Sequence, residues 1–218
     1  MRKISVLLVC LLLVFSVKAN AVERVIVSLL LDESGSMNSV KRETLQGLNG
    51  YIKSLEDQEK RIVFSLYTFN SMEMGEIYYN EPIDRVREVG GWEYNPQHWT
   101  PLYDSIAEII DKTDVIKDDE ECKTLVVILT DGKENDSKEY TKHKILKLIE
   151  EKEKEGWTFV YLGANQDAWQ EGTSISIPSD NIYDFRFDNP QDWKYVIKCS
   201  GSFIENDNIQ TETFFKEE

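Results

Sequence analysis

The sequence predicts an α/β fold with a doubly wound, mostly parallel central sheet, one antiparallel edge strand and helices on both faces. Apolar runs such as residues 25–31 and 123–130 end abruptly at polar residues, as buried parallel strands do. Segments between such runs repeat apolar residues at steps of three and four, which is typical of amphipathic helices. The break after Phe69 is too short for a helical crossover, so the following strand is expected to turn back as an antiparallel edge.

The same patterns give the order of the elements. We expect helices over residues 39–57, 101–112, 137–155 and 189–200, a helical turn over 168–171, and strands over 25–31, 61–69, 76–79, 123–130, 157–163 and 182–187. From Glu205 onward the chain is polar and acidic, and it is expected to be frayed despite Phe214 and Phe215.

The N-terminal residues have the three parts of a secretory signal: a basic start, an uncharged apolar run over residues 4–17, and small residues at Ala19 and Ala21. We therefore expect a signal peptide over residues 1–21, one domain over 22–204 and a polar acidic tail over 205–218. This organisation predicts a secreted, periplasmic or otherwise extracytoplasmic protein whose mature chain does not insert into a membrane. The alternative is an N-terminal membrane anchor. A spanning helix needs about 20 residues, and the apolar run is shorter than that.

The chain is acidic, with 25 Lys and Arg against 40 Asp and Glu and a formal net charge of −15. Loss of residues 1–21 would remove Arg2, Lys3 and Lys18 and no acid. A surface of this charge repels nucleic acid and anionic lipid, so no nucleic-acid partner is expected. An acidic group on a partner remains compatible, because a bound divalent cation would dominate the local potential.

Two cysteines, Cys122 and Cys199, follow the N-terminal segment. In an oxidising compartment they could form a disulfide, but sequence does not give the distance between them. Buried free thiols are the favoured alternative.

The most informative stretch is the end of the first strand, where Asp32, Ser34 and Ser36 alternate on the loop that follows. Open α/β sheets bind ligands at the carboxyl ends of their strands. One carboxylate and two hydroxyls on a tight turn can converge on a hard cation such as Mg²⁺, which takes six oxygens, so other loops must contribute. Asp131 ends a later apolar strand, and Thr100 precedes a helix that it could also simply cap.

At these residues the chain resembles the von Willebrand factor type A domain family, over roughly residues 25–200. The metal-ion-dependent adhesion site of that family reads Asp-x-Ser-x-Ser on one loop, Thr on a second and Asp on a third. The matching positions are Asp32, Ser34, Ser36, Thr100 and Asp131. The resemblance implies that the three hydroxyls bind the ion directly, while the two aspartates bind it directly or through water.

The resemblance further implies Mg²⁺ as cofactor, with Mn²⁺ or Ca²⁺ as alternatives, and a partner protein that presents an acidic residue to the metal. The expected function is therefore binding by an exported protein, not catalysis. A metal-free scaffold for complex assembly is one alternative, and a metal-dependent hydrolase is a weaker one. Only His98 and His143 could serve as histidine bases, and the serines lack the Gly-x-Ser-x-Gly elbow of many hydrolases.

A candidate partner-binding rim surrounds this site. It comprises Trp92, Tyr94, His98, Trp99 and Asn165. Exposed aromatic residues are common anchors of interfaces, which favours this interpretation. The alternative is that the aromatic side chains fill space between neighbouring loops and that Asn165 caps the turn after it.

Overall fold

The computed structural model of the protein describes residues 24–117, 122–164, 168–206 and 213–215. A six-stranded sheet forms its centre, with the order β3-β2-β1-β4-β5-β6. The strands are β1 (Arg24–Asp32), β2 (Arg61–Phe69), β3 (Met74–Pro82), β4 (Cys122–Thr130), β5 (Trp157–Gly163) and β6 (Ile182–Asp184). Only β3 runs antiparallel to its neighbour, β2, whereas the other four pairings are parallel. The expected mostly parallel sheet with one antiparallel edge is confirmed.

Five α-helices cover the two faces of the sheet. They are α1 (Lys41–Glu56), α2 (Leu102–Ile116), α3 (Lys142–Lys154), α4 (Ala168–Ser174) and α5 (Pro190–Glu205). The apolar sides of α1 and α5 pack into one core cluster, and those of α2 and α3 pack into another on the opposite face. Alternate residues of β1 supply both clusters, Leu29 and Leu31 to the first and Leu30 to the second. Burial on both faces explains why β1 is apolar over residues 25–31 apart from Ser28.

Several element boundaries differ from the sequence prediction. Helix α3 begins at Lys142 instead of residue 137, because acidic side chains bind the backbone N–H groups of residues 136–140 outside the helix. Strand β3 is longer than expected, α2 continues to Ile116, β6 ends at Asp184, and α5 continues to Glu205.

The expectation of a frayed C-terminal tail is wrong for residues 213–215. Phe214 is buried and packs against the ring of Phe203 at a centroid distance of 5.9 Å. The apolar contact outweighs the polar composition of the neighbouring residues. The remainder of the tail beyond Asn206, and the expected signal segment over residues 1–21, lie outside the described residues.

Cys122 and Cys199 are both buried and form no disulfide with each other, as the favoured alternative predicted. Within the described ranges, no helix has the length and apolar character needed to cross a bilayer.

Candidate functional site

The site lies at the carboxyl edge of the sheet, where the two central strands β1 and β4 end side by side. Their parallel register pairs Leu31 with Leu129, which brings the loop after Asp32 next to the loop after Thr130. A third segment, residues 95–100, runs along the first loop through hydrogen bonds from Gln97 N to Glu33 O and from Gly35 N to the carbonyl oxygen of His98. Three separate parts of the chain therefore meet at one edge.

Asp32 is fully buried at the end of β1. Its Oδ1 accepts a hydrogen bond from Ser34 N at 2.7 Å, and its Oδ2 accepts one from Thr130 Oγ1 at 2.6 Å. Burial raises the pKa of the Asp32 carboxyl from 3.8 to about 6; these hydrogen bonds oppose the shift and the nearby charge of Asp131 adds to it. The carboxylate is fixed in orientation but has no cation beside it among the described residues.

The two serines and Asp131 form a continuous chain of oxygen atoms. Ser34 Oγ lies 3.1 Å from Ser36 Oγ, and Ser36 Oγ donates to Asp131 Oδ1 at 2.5 Å. Ser34 is buried and Ser36 is exposed, so the chain leads from the protein interior to solvent. Burial raises the pKa of Asp131, against the hydrogen bond from Ser36.

Thr100 reaches the same edge on a separate loop. A Cβ atom placed on Gly132 would lie 2.8 Å from Thr100 Oγ1 and 3.3 Å from Asp32 Oδ2. Both oxygens therefore lie against the backbone of Gly132, and only glycine leaves them room. The structure brings all five residues of the expected metal set to one edge.

Asn135 joins the Thr100 segment to the loop that follows β4. Its Oδ1 accepts from Thr100 N at 2.8 Å, and its own N–H donates to Thr100 O at 3.1 Å. This pairing fixes the backbone of Thr100 relative to Asp131. The sequence analysis missed Asn135, because nothing in its immediate neighbours indicates a partner 35 residues away.

Glu134 and Asp104, which the sequence left without a role, organise the same loop. Glu134 Oε1 accepts from Ser137 N at 2.7 Å, and its Oε2 accepts from Tyr103 N at 2.9 Å. The Asp104 carboxylate accepts from backbone N–H groups of residues 138–140. Both acids are occupied by backbone donors, so they support the site without joining it.

The aromatic residues near the site divide into two groups. Trp92, His98 and Trp99 are exposed, the two tryptophans by 80% and 66%. Tyr94 is fully buried, and its hydroxyl donates to the backbone carbonyl of Asp32 at 2.7 Å. Its assignment to the exposed rim is wrong, because the phenol fills the space beneath the first loop, as the alternative anticipated. Asn165 lies outside the described residues.

The donor set suits a hard divalent cation, since two carboxylates and three hydroxyls offer oxygen only. Within the described ranges, no group of three or more His, Cys, Asp or Glu side chains is arranged to hold a metal. The candidate site depends instead on hydroxyls. The third nearby acid, Glu33, directs Oε1 to the backbone N–H of Asn95.

Comparison with protein families matches residues 27–199 to the von Willebrand factor type A domain. A comparison with curated proteins finds no match. Among solved structures, proximal thread matrix protein 1 of the mussel byssus has a TM-score of 0.61 at 17% identity, over 84% of this chain and 47% of the mussel chain. This chain thus spans about half the length of that protein. A second structure of it is described as having a zinc-occupied MIDAS motif, with a TM-score of 0.60 at 18% identity over 83% of this chain and 46% of the other.

The pilus adhesin SpaC of Lactobacillus rhamnosus GG, in an open conformation, has a TM-score of 0.63 at 14% identity, over 84% of this chain and 30% of the adhesin. Identities this low show a shared fold. These structural neighbours are matrix or adhesion proteins. The family match spans most of the sequence, and the chain therefore belongs to the von Willebrand factor type A domain family.

Proposed function

We propose that the carboxyl-edge cluster binds a divalent cation, Mg²⁺ with Mn²⁺ or Ca²⁺ as alternatives, and through it an acidic residue of a partner protein. The observation that carries this proposal is the convergence of three chain segments. Ser34 Oγ, Ser36 Oγ and Asp131 Oδ1 follow one another at hydrogen-bonding distance. Thr100 Oγ1 and Asp32 Oδ2 lie together against Gly132.

The hydroxyls of Ser34, Ser36 and Thr100 would hold the ion, with Asp32 and Asp131 as direct or water-bridged ligands. When bound, the cation supplies a site of concentrated positive charge that can take a carboxylate. Both Asp32 oxygens already accept hydrogen bonds, which hold that carboxylate in place. Where an aspartate binds through water, its charge lies farther from the ion, so the ion can still attract an acidic partner group.

The exposed aromatic residues Trp92, His98 and Trp99 form the proposed contact surface around the ion. Trp99 is next to Thr100, and its backbone N–H donates to Ser71 Oγ at 3.3 Å, which fixes the backbone that carries this large side chain. Apolar area held on an ordered backbone costs little further entropy when a partner covers it. The expected signal over residues 1–21 and the extracellular setting of the structural neighbours support export.

Calorimetric titration of Mg²⁺ and Mn²⁺ into chelator-treated protein tests the metal site. We expect saturable binding with one ion per chain, lost in a Ser34→Ala, Ser36→Ala double variant. Ser202→Ala is the matched control, because Ser202 is exposed on α5, away from the cluster. Unchanged binding in the double variant would place the ion elsewhere.

Two other outcomes would change the proposed class of function. Partner binding that persists in Asp32→Ala protein without metal would favour the scaffold alternative. Hydrolysis of phosphate esters or peptides that disappears in Asp131→Ala protein would favour the hydrolase.

A further inference from the structure

A second surface of the molecule, distant from the metal cluster in sequence, holds the C-terminal residues 213–215. The backbone N–H of Phe215 donates to Asp180 O at 2.9 Å, and that of Phe214 donates to Asn181 Oδ1 at 3.0 Å. Thr213 Oγ1 is 3.4 Å from Asp180 Oδ2. These three consecutive residues, here called the strap, therefore lie along the turn that leads into β6.

The rings of the strap pack on aromatic residues of β6 and α5. Phe215 lies 5.3 Å from Tyr183 and 5.7 Å from Tyr195, between ring centroids, and is nearly parallel to Tyr195. Phe214 lies 5.9 Å from Phe203. The two strap rings meet edge to face at 4.9 Å, a favourable aromatic geometry.

The surface that holds the strap has apolar and polar groups whose contacts the strap supplies. Asn181 is buried, and its side-chain oxygen accepts from Phe214 N. Without the strap, this oxygen would lose its backbone donor, and the rings of Tyr183, Tyr195 and Phe203 would be more exposed to solvent. An uncovered apolar surface beside an unsatisfied amide favours reoccupation by a segment of the same chemistry.

We propose that the turn before β6, together with β6 and α5, forms a binding seat for a segment with two consecutive aromatic residues. The chain's own strap fills this seat, and the same segment of a second copy can replace it. All the contacts described above come from three consecutive residues, so a segment supplied by another chain can reproduce every one of them. The tethered strap has an effective concentration on the order of millimolar, so exchange between copies requires a comparably high local concentration.

The test keeps the complete chain and frees the strap after folding. A recognition sequence for a site-specific protease is placed between Asn206 and Thr213, and the folded protein is cut and diluted. A fluorescent peptide of residues 207–218 should then bind the cut protein saturably, and bind uncut protein at least tenfold more weakly because the seat is filled. A peptide with Phe214→Ser and Phe215→Ser should bind the cut protein at least tenfold more weakly than the natural peptide.

A full-length Phe214→Ser, Phe215→Ser variant provides a second receiver with an empty seat. The natural peptide should raise its melting temperature, while the serine peptide should not. Val115→Ser in the cut, protease-site protein is the control, because this exposed residue on α2 is not among the strap's contacts and its change should leave peptide binding unaltered. Equal binding of the two peptides, or no binding to either receiver at millimolar peptide, would overturn the proposal.

Discussion

The two ends of the central strands bury charge in different ways. At the amino end, Lys123 is almost fully buried, and its Nζ donates to Phe203 O at 2.5 Å and Asn206 O at 2.7 Å, at the carboxyl end of α5. These carbonyls lie at the negative end of the helix dipole and suit a cation. At the carboxyl end, no Lys or Arg among the described residues forms a salt bridge with Asp32 or Asp131.

This difference separates a charge that the fold compensates from the charges of the proposed metal site. The amino-end cation is compensated by the fold itself, including the ring of Phe203 at 4.1 Å from Nζ. The carboxyl-end acids receive hydrogen bonds from hydroxyls and one backbone N–H, yet burial still raises the pKa of both. A buried acid and a half-buried acid that no Lys or Arg of the described residues neutralises, beside hydroxyl oxygens, are candidates for binding an external cation.

The largest expected effect is on metal affinity, from Asp131→Ala. Loss of one of the two carboxylates should weaken Mn²⁺ binding at least about 100-fold, or about 2.7 kcal/mol. Stability without metal should change far less, because Asp131 makes no ion pair within the described residues. Titration calorimetry and urea unfolding measure the two quantities. Equal losses in both would show that Asp131 is structural.

Lys123→Met should produce the reverse pattern. The carbonyls of Phe203 and Asn206 lose a charged donor, so the free energy of unfolding should fall by about 2 kcal/mol, while metal affinity should stay within twofold. Lys147→Met is the control, because Lys147 is exposed on α3 and is not part of the site. Reduced metal affinity in Lys123→Met would mean that the two ends are coupled.

Asn135→Ala should weaken metal binding about tenfold, or about 1.4 kcal/mol, because Thr100 loses its backbone clamp. Asn95→Ala is a comparison on another loop of this edge, where the backbone N–H and not the side chain makes the observed contact. Calorimetry on both variants separates positioning of Thr100 from general loosening of the loops. Unchanged metal affinity in Asn135→Ala would show that Asn135 does not position Thr100 for metal binding.

The smallest effect concerns Glu153 in α3. Burial, with Glu150 nearby, raises its pKa from 4.5 to about 7. The folded state thus favours the protonated form, so stability is greatest below pH 4.5 and falls as pH rises through 7. Glu153→Gln should stabilise the protein by about 1 kcal/mol at pH 8, after allowance for solvent screening, and hardly at pH 4.5. Urea unfolding at both pH values measures this, and an equal effect at both would exclude the titration.

The sequence predicts the order of the elements along the chain and the positions of the two acids, because both depend on local signals. Apolar runs that stop at Asp32 and Asp131 place two acids at one edge once the strands are parallel. The later start of α3 was not predictable, since it depends on Asp104, more than 30 residues away, binding the N–H groups of residues 138–140.

The sequence also could not predict which individual aromatic residues are buried. Tyr94 and Trp92 are two residues apart with similar neighbours, yet one is fully buried and the other is 80% exposed. Likewise, Phe214 lies in a polar tail but finds Phe203 across the fold. Local composition indicates whether a segment is polar, whereas the contact that holds a single side chain depends on elements distant in the sequence.

Paramagnetic relaxation by Mn²⁺ tests the central claim most directly, because the two ends of β1 are separated by roughly 25–30 Å for nine residues at about 3.3 Å each. In an ¹⁵N-labelled sample with substoichiometric Mn²⁺, the amide signals of Ser34, Gly35 and Gly132 should broaden first, while that of Lys123 stays sharp. Broadening spread over the acidic surface, or concentrated at the amino end, would contradict a metal site at the carboxyl edge.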